Sequence, residues 1–261
     1  MLLYRALGCD LPTYAHVPMV LGEDRARLSK RHGARSVTAY QEMGFLPEAL
    51  INYLVRLGWS HGDQEFFTRK ELIEKFSLEH IGKSAGVFDP EKLLALNQEH
   101  MRAAPVSTLA EMLLPFLREK GLTAEAGQKL ERAVETLLPR TKTLAEMAEA
   151  GRFYFEETVQ YEEAAAKKFL KPAAAKPLKI LREKLAEISA FDEASLESAF
   201  QELMEETGLK LGKIAQPVRV ALTGKTASPG IFEVVSIIGK KRVLERLDAA
   251  VEFIQRSGVV Q

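Results

Sequence analysis

Cysteine is nearly absent: Cys9 is the only one in 261 residues. An internal disulfide is therefore excluded, and a reducing, cytoplasmic setting is expected. No set of Cys and His residues has zinc-site spacing, so no metal site is expected. The chain also lacks any apolar run approaching the roughly 20 residues that span a bilayer. Its start, Met1-Leu2-Leu3-Tyr4, turns polar too soon to read as a secretory signal. Net charge is absent too, since 36 basic residues balance 36 acidic ones. That balance argues against bulk attraction to a polyanion and leaves the question to the distribution of charge.

The distribution is uneven. No acid falls between Glu206 and Glu233, a stretch that holds Lys210, Lys213, Arg219 and Lys225. Lys167, Lys168, Lys171, Lys176, Lys179, Arg182 and Lys184 are opposed within their own stretch only by Glu183, whereas acids gather at Glu156-Glu157 and Glu162-Glu163. Such segregation places a basic face on a neutral molecule, or it marks ordinary solvated helix faces.

What is present is mostly helix, with 46% hydrophobic and 28% charged residues, as in ordinary globular chains. Residues 1–22 read as the end of a helix, a turn and a short strand, interrupted by Pro12 and Pro18. Pro47 fits a first helical position and Gly58 a stop, with Leu50, Tyr53, Leu54 and Leu57 on one face. Trp59 is expected to anchor packing, and His61, without partner ligands, is expected to be a satisfied or exposed histidine. Capping boxes are read at Thr68-x-x-Glu71, Thr108-x-x-Glu111 and Thr143-x-x-Glu146, and a cap at Asp89-Pro90. Apolar stripes at Leu109, Met112, Leu113, Phe116 and Leu117, at Leu130, Ala133, Val134, Leu137 and Leu138, and at Leu196, Ala199, Phe200 and Leu203 are core, the last ended by Gly208. Pro172 and Pro177 are expected to mark a boundary near 160–177.

Three segments carry candidate chemistry. The first is Arg27-Leu28-Ser29-Lys30-Arg31-His32-Gly33, a basic loop suited to a polyanion, or else a solvated basic turn. The second is Pro139-Arg140-Thr141, where an arginine at a helix end either caps carbonyls or reads a base edge. The third runs from Arg219 to Phe232. There Ser228-Pro229 is expected to start a helix whose free N–H groups attract anions or base edges. Gly224-Lys225-Thr226 lacks the earlier glycine of a P-loop, so that reading is rejected.

Arg27-Leu28-Ser29-Lys30-Arg31 resembles the second signature of class I aminoacyl-tRNA synthetases, Lys-Met-Ser-Lys-Ser, in its glutamyl form. The resemblance continues through Gly44-Phe45-Leu46-Pro47-Glu48-Ala49-Leu50, Asn52-Tyr53-Leu54, Leu57-Gly58-Trp59-Ser60-His61-Gly62-Asp63 and Val87-Phe88-Asp89-Pro90-Glu91-Lys92-Leu93. It returns at Arg219-Val220-Ala221-Leu222-Thr223-Gly224 and Ser228-Pro229-Gly230-Ile231-Phe232-Glu233. By these motifs the chain is identified as a member of the bacterial-type glutamyl-tRNA synthetase family. The family's first signature, His-x-Gly-His, is missing, so the chain is expected to be the C-terminal portion of a longer synthetase and inactive alone.

The resemblance implies a mainly α fold. Residues 1–35 would be the tail of a Rossmann-like catalytic domain, 36–102 a helical connector touching the tRNA stem, and 103–165 and 166–261 two anticodon-binding helical subdomains. It implies that Lys30 is catalytic, stabilising charge on departing pyrophosphate, within an ATP loop of Arg27, Leu28, Ser29, Lys30 and Arg31. Arg27 stands where the family has lysine. It implies that Arg140, Arg219, Ser228, Pro229 and Ile231 contact the anticodon. ATP with Mg2+, glutamate and glutamate tRNA are the implied ligands of the intact enzyme. This chain is expected to hold no tight cofactor and to be monomeric. A helical protein-interaction module is the alternative from a different class.

Overall fold

The computed structural model describes residues 1–29 and 36–258. Fourteen α-helices and one two-stranded sheet appear among the described residues, in two compact units, Met1–Ala103 and Ala104–Gln261.

In the first unit α1 (Leu2–Ala6) leads through extended chain to β1 (Val20–Leu21), which pairs in parallel with β2 (Gly86–Val87). Leu2, Leu3, Leu7, Val17 and Met19 all face solvent, so the chain before β1 adds no core here. Between the strands lie α2 (Val37–Glu42), α3 (Pro47–Arg56) and α4 (Arg69–Lys75), and α5 (Pro90–Ala103) follows β2. The sheet needs a glycine at 86, because an added Cβ would collide with the Leu57 carbonyl oxygen. Gly86→Ala is expected to destabilise this unit by about 1–3 kcal/mol, the scale of overpacking, read as a lower urea midpoint with unchanged slope.

The helices of this unit start where their caps dictate. Pro47 is the first residue of α3. Thr68 and Glu71 form the complete reciprocal box of α4, and Asp89 Oδ1 accepts from the N–H groups of Glu91 and Lys92. The core joins Phe45, Leu50, Tyr53, Leu93 and Leu96, and a second cluster joins Trp59, Phe67 and Leu72. Leu54 departs from the expected face. It is 47% exposed, because the burial stripe of α3 runs through Ala49, Leu50, Asn52 and Tyr53 instead. His61 stacks on Trp59 with ring centroids 6.0 Å apart.

A buried polar cluster locks α3 to α5. Asn97 Oδ1 accepts from Leu46 N at 2.8 Å, capping α3 from another helix. Asn52 Oδ1 accepts from Phe67 N at 2.8 Å and its Nδ2 donates to Glu65 O at 3.0 Å. His100 Nε2 lies 3.0 Å from the same Oδ1, so this nitrogen carries the proton of the neutral ring. Burial pushes the His100 pKa below its ordinary value, against a smaller opposing pull from Glu48. With the folded pKa depressed, the unfolded chain binds the proton first. Stability is thus full above about pH 6.5 and falls as pH drops from there towards the folded pKa. Thermal melts at pH 7.5 and 5.5 should show this loss, and His100→Gln should flatten it.

The second unit is entirely helical among the described residues. Its helices are α6 (Val106–Glu119), α7 (Gln128–Leu137), α8 (Leu144–Ala150), α9 (Glu163–Phe169), α10 (Pro172–Glu187), α11 (Glu193–Thr207), α12 (Leu211–Thr223), α13 (Ile231–Ile238) and α14 (Lys240–Gly258). Three-residue turns at Leu138–Arg140 and Arg152–Tyr154 follow α7 and α8. The apolar stripes are core as expected except that Met112, Phe116 and Leu138 are only partly buried, and Gly208 ends α11 with φ 70°. At the centre is α12, with eight of its side chains buried and α9, α10, α11, α13 and α14 around it.

Several sequence readings are corrected here. Thr108 does not cap α6. The helix begins two residues earlier, at Val106, with Pro105 holding the N-cap conformation. Thr143 does cap α8, but Glu146 accepts from Lys142 N rather than closing the box on Thr143. Pro172 starts α10, yet Pro177 lies inside it. One i→i−4 bond is lost there, at the exposed Ala173 carbonyl, and burial of Leu178, Leu181 and Leu185 carries the helix on. Ser228 is not the cap of α13. The helix starts after Gly230, whose N–H donates to Glu233 Oε2 at 3.0 Å.

Candidate nucleic-acid interface

In the first unit, the basic segment leaves β1 through a tight turn. Gly22 N donates to Ala26 O at 2.8 Å, and Ala26 N to Asp24 Oδ1 at 3.0 Å. Arg25 takes the left-handed conformation, φ 59°. Leu28 N then donates to Val20 O at 2.9 Å, and its side chain lines an apolar cleft with Tyr40, Met43, Phe45 and Phe88. Leu28 is thereby an anchor, and Arg27 beside it is exposed. Lys30 and Arg31 lie outside the described residues.

In the second unit Arg140 lies near enough to Arg219, despite their distance in sequence, for the two guanidiniums to repel. Arg140 ends the turn after α7 and is exposed. It does not cap α7: the Leu137 carbonyl is taken by the Thr141 hydroxyl at 3.0 Å. Arg219 projects from the buried α12 and is half-buried. Its Nη1 donates to Pro229 O at 2.8 Å, to Ser228 O at 3.2 Å and to Ser228 Oγ. The loop before α13 is therefore pinned to α12 through one nitrogen, and Nη2 and Nε make no hydrogen bond among the described residues. Burial first, and the nearby Arg140 guanidinium second, hold the Arg219 pKa below its ordinary value. Neither arginine forms an ion pair with a carboxylate among the described residues.

The other expected residues play different parts. Ser228 Oγ donates to Pro229 O at 2.9 Å and accepts from Arg219, so it shapes the loop. Pro229 and Ile231 are buried, and Pro229 O is taken by Arg219 Nη1 and Ser228 Oγ, so both residues support the loop from inside. Glu233 occupies the start of α13, which sets a negative charge where an anion would sit. The arrangement thus suits uncharged base edges better than phosphate. Sequence reasoning missed Glu233 as the cap, although a glycine followed three residues later by glutamate was a readable signal. It also missed Tyr154, whose hydroxyl lies 2.9 Å from Thr136 Oγ1. Burial drives that hydroxyl's pKa up to about 12, with Glu233 adding to the rise and Arg132 and Arg140 opposing it.

Comparison with known proteins gives this geometry a context. The family described as tRNA synthetases class I (E and Q), catalytic domain, matches residues 1–95. The anticodon binding domain family matches residues 108–251. The two units are accordingly those of a class I aminoacyl-tRNA synthetase: part of a catalytic domain, then an anticodon-binding domain. A glutamate–tRNA ligase of Desulfosudis oleivorans is 60% identical over 256 residues, covering 98% of this chain and 55% of that protein. One from Geobacter sulfurreducens is 52% identical over 255 residues, with 98% and 55% covered. A crystal structure of a glutamate tRNA ligase from Elizabethkingia meningosepticum, in complex with its amino acid, superposes with a TM-score of 0.82 at 27% identity, covering 97% of this chain and 54% of that one. The chain belongs to the glutamate–tRNA ligase family, and it spans about half the length of the curated relatives it matches.

Among the described residues no group of three His, Cys, Asp or Glu side chains is placed to hold a metal ion. No described helix is long and apolar enough to cross a membrane.

Proposed function

We propose that this chain supplies the anticodon-reading part of a cytoplasmic glutamate–tRNA ligase, acting as a monomer on glutamate tRNA. The observation that carries the reading is the Arg140–Arg219 pair. Among the described residues neither guanidinium has a carboxylate partner; Arg219 pins the loop before α13 and Arg140 is close enough to repel it, within the residues that match an anticodon-binding domain. Anticodon bases are splayed out and read on their edges, which suits forked donors held on a rigid helix.

The intact enzyme would join glutamate to ATP as glutamyl-adenylate, with Mg2+ on the phosphates, and then pass the acyl group to the tRNA 3′ end. The donor set of Arg27, Ser29, Lys30 and Arg31 fits a polyphosphate, since no acid lies between residues 25 and 35. Leu28 fixes the start of that loop in the first unit. By this reading the chain alone catalyses neither step.

The test is fluorescence anisotropy of the chain against the unmodified anticodon stem-loop of glutamate tRNA and a copy with a changed triplet. A preference of about tenfold or more is expected, the scale of one bidentate base contact, together with an affinity that falls as salt rises. Equal affinity for both RNAs would refute the reading.

A further inference from the structure

Arg246, on α14, is only 3% exposed and forms no ion pair among the described residues. Its guanidinium reaches three main-chain carbonyls instead. Nη1 donates to Phe153 O and to Leu222 O, both at 2.7 Å, and Nη2 donates to Glu156 O. One turn earlier on the same helix, Arg242 Nη1 donates to Tyr154 O at 3.3 Å. Burying a charge without a counter-charge is unfavourable, and an apolar side chain of similar size would avoid that cost. What arginine supplies is a planar fork that fixes three oxygens at set positions.

Those oxygens belong to the two supports of the candidate site. Leu222 is in the last turn of α12, whose carbonyls have no partner within the helix. Arg219 stands one turn back, and the Thr223 hydroxyl ties its carbonyl at 2.8 Å. Phe153 and Glu156 flank Tyr154, which holds Thr136 on α7, the helix that runs directly into the turn bearing Arg140. The end of α12 is also closed by the chain at residues 160–162. Gly224, at φ 74°, leaves no room for a Cβ against the Gln160 carbonyl, and its own carbonyl accepts from Glu162 N at 3.0 Å.

We propose that Arg246 is a positioning residue of the anticodon site. By clasping the end of α12 to the turn at residues 153–156, it sets the spacing between Arg219 and Arg140, although it touches neither. The proposal rests on the anticodon-reading function given above. Lysine at 246 keeps the charge but has a single nitrogen, which cannot hold three carbonyls in one plane. The site would then lose its geometry before the unit loses its fold.

The experiment compares the full chain with Arg246→Lys and Arg242→Gln on the two anticodon stem-loop RNAs, at several salt concentrations and with melts run alongside. For folded Arg246→Lys, the ratio of affinities for the two RNAs is expected to fall at least about fivefold, a fraction of one bidentate contact. The salt slope should stay as in the parent, because the charges remain. Arg242→Gln, which loses one bond to the same turn, should show a smaller fall, and it carries the test if Arg246→Lys does not fold. A folded Arg246→Lys that discriminates as well as the parent would overturn the clasp and leave the anticodon reading intact. If Arg246→Lys is unfolded, full discrimination by Arg242→Gln would do the same. A parent chain that fails to discriminate would overturn both.

Discussion

Replacing Arg219 by alanine is expected to lower affinity for the glutamate anticodon stem-loop by about tenfold to a hundredfold and to remove most of the preference over a changed triplet, the range of one bidentate base contact. Two effects combine. The free Nη2 and Nε donors disappear, and the loop at residues 228–230 loses the nitrogen that gathers Ser228 O, Ser228 Oγ and Pro229 O. The effect on folding is smaller, about 1 kcal/mol, because the side chain is half-buried and the Ser228 hydroxyl still donates to Pro229 O. Arg219→Lys separates the two contributions. A single ammonium retains charge and part of the loop contact but not the fork, so affinity should recover in part and triplet preference should not.

Arg140→Ala completes the argument. Arg140 is exposed and repels Arg219 rather than supporting it, so the melt should move by no more than about 0.5 kcal/mol, as for ordinary surface sites. Affinity should still fall. If both arginines face one ligand, as proposed, the double variant should lose less than the sum of the singles. Additive losses would place the two side chains on separate sites. If Arg219→Ala bound both RNAs as the parent does, the site would lie elsewhere on the second unit.

The sequence was informative where a local rule acts alone. Capping at Thr68, Asp89 and Pro47 and the glycine stop at Gly208 each depend on a few neighbouring residues, and each is found as read. The misreadings arise where a distant group decides. Ser228 looked like a cap because serine and proline favour a helix start. Its hydroxyl is instead engaged by Arg219 from another helix, and Glu233 fixes the start at Gly230. Pro177 looked like a break, but buried leucines override one missing hydrogen bond. The Arg140–Arg219 approach joins residues far apart in the chain: each segment was readable as a candidate by itself, but no local rule placed the two near one another. Arg246 carried no sequence signal at all: an arginine in a long amphipathic helix looks solvated, and its burial depends on carbonyls from two other elements.

Lys30→Ala in a full-length ligase carrying this segment is expected to slow adenylate formation by about tenfold to a thousandfold, the usual loss on removing one donor from a developing oxyanion. The reasoning is from charge. As the α-phosphate is attacked, negative charge builds on the leaving pyrophosphate, and an ammonium placed there gains interaction only as the reaction proceeds. The loss should therefore fall on the rate constant rather than on ATP affinity. Pyrophosphate exchange and rapid quench over a range of ATP concentrations resolve the two. Arg27→Lys, which restores the family's usual first residue, should change the rate by less than Lys30→Ala. Leu28 and the turn at residues 22–26 already hold Arg27 beside the strand, and its charge survives the substitution. A Lys30→Ala enzyme that forms adenylate at the parent rate would show that the neutralising charge comes from another group, with Arg31 the first to replace. Weaker ATP binding with the rate unchanged would give Lys30 a role in holding ATP and none in the chemical step.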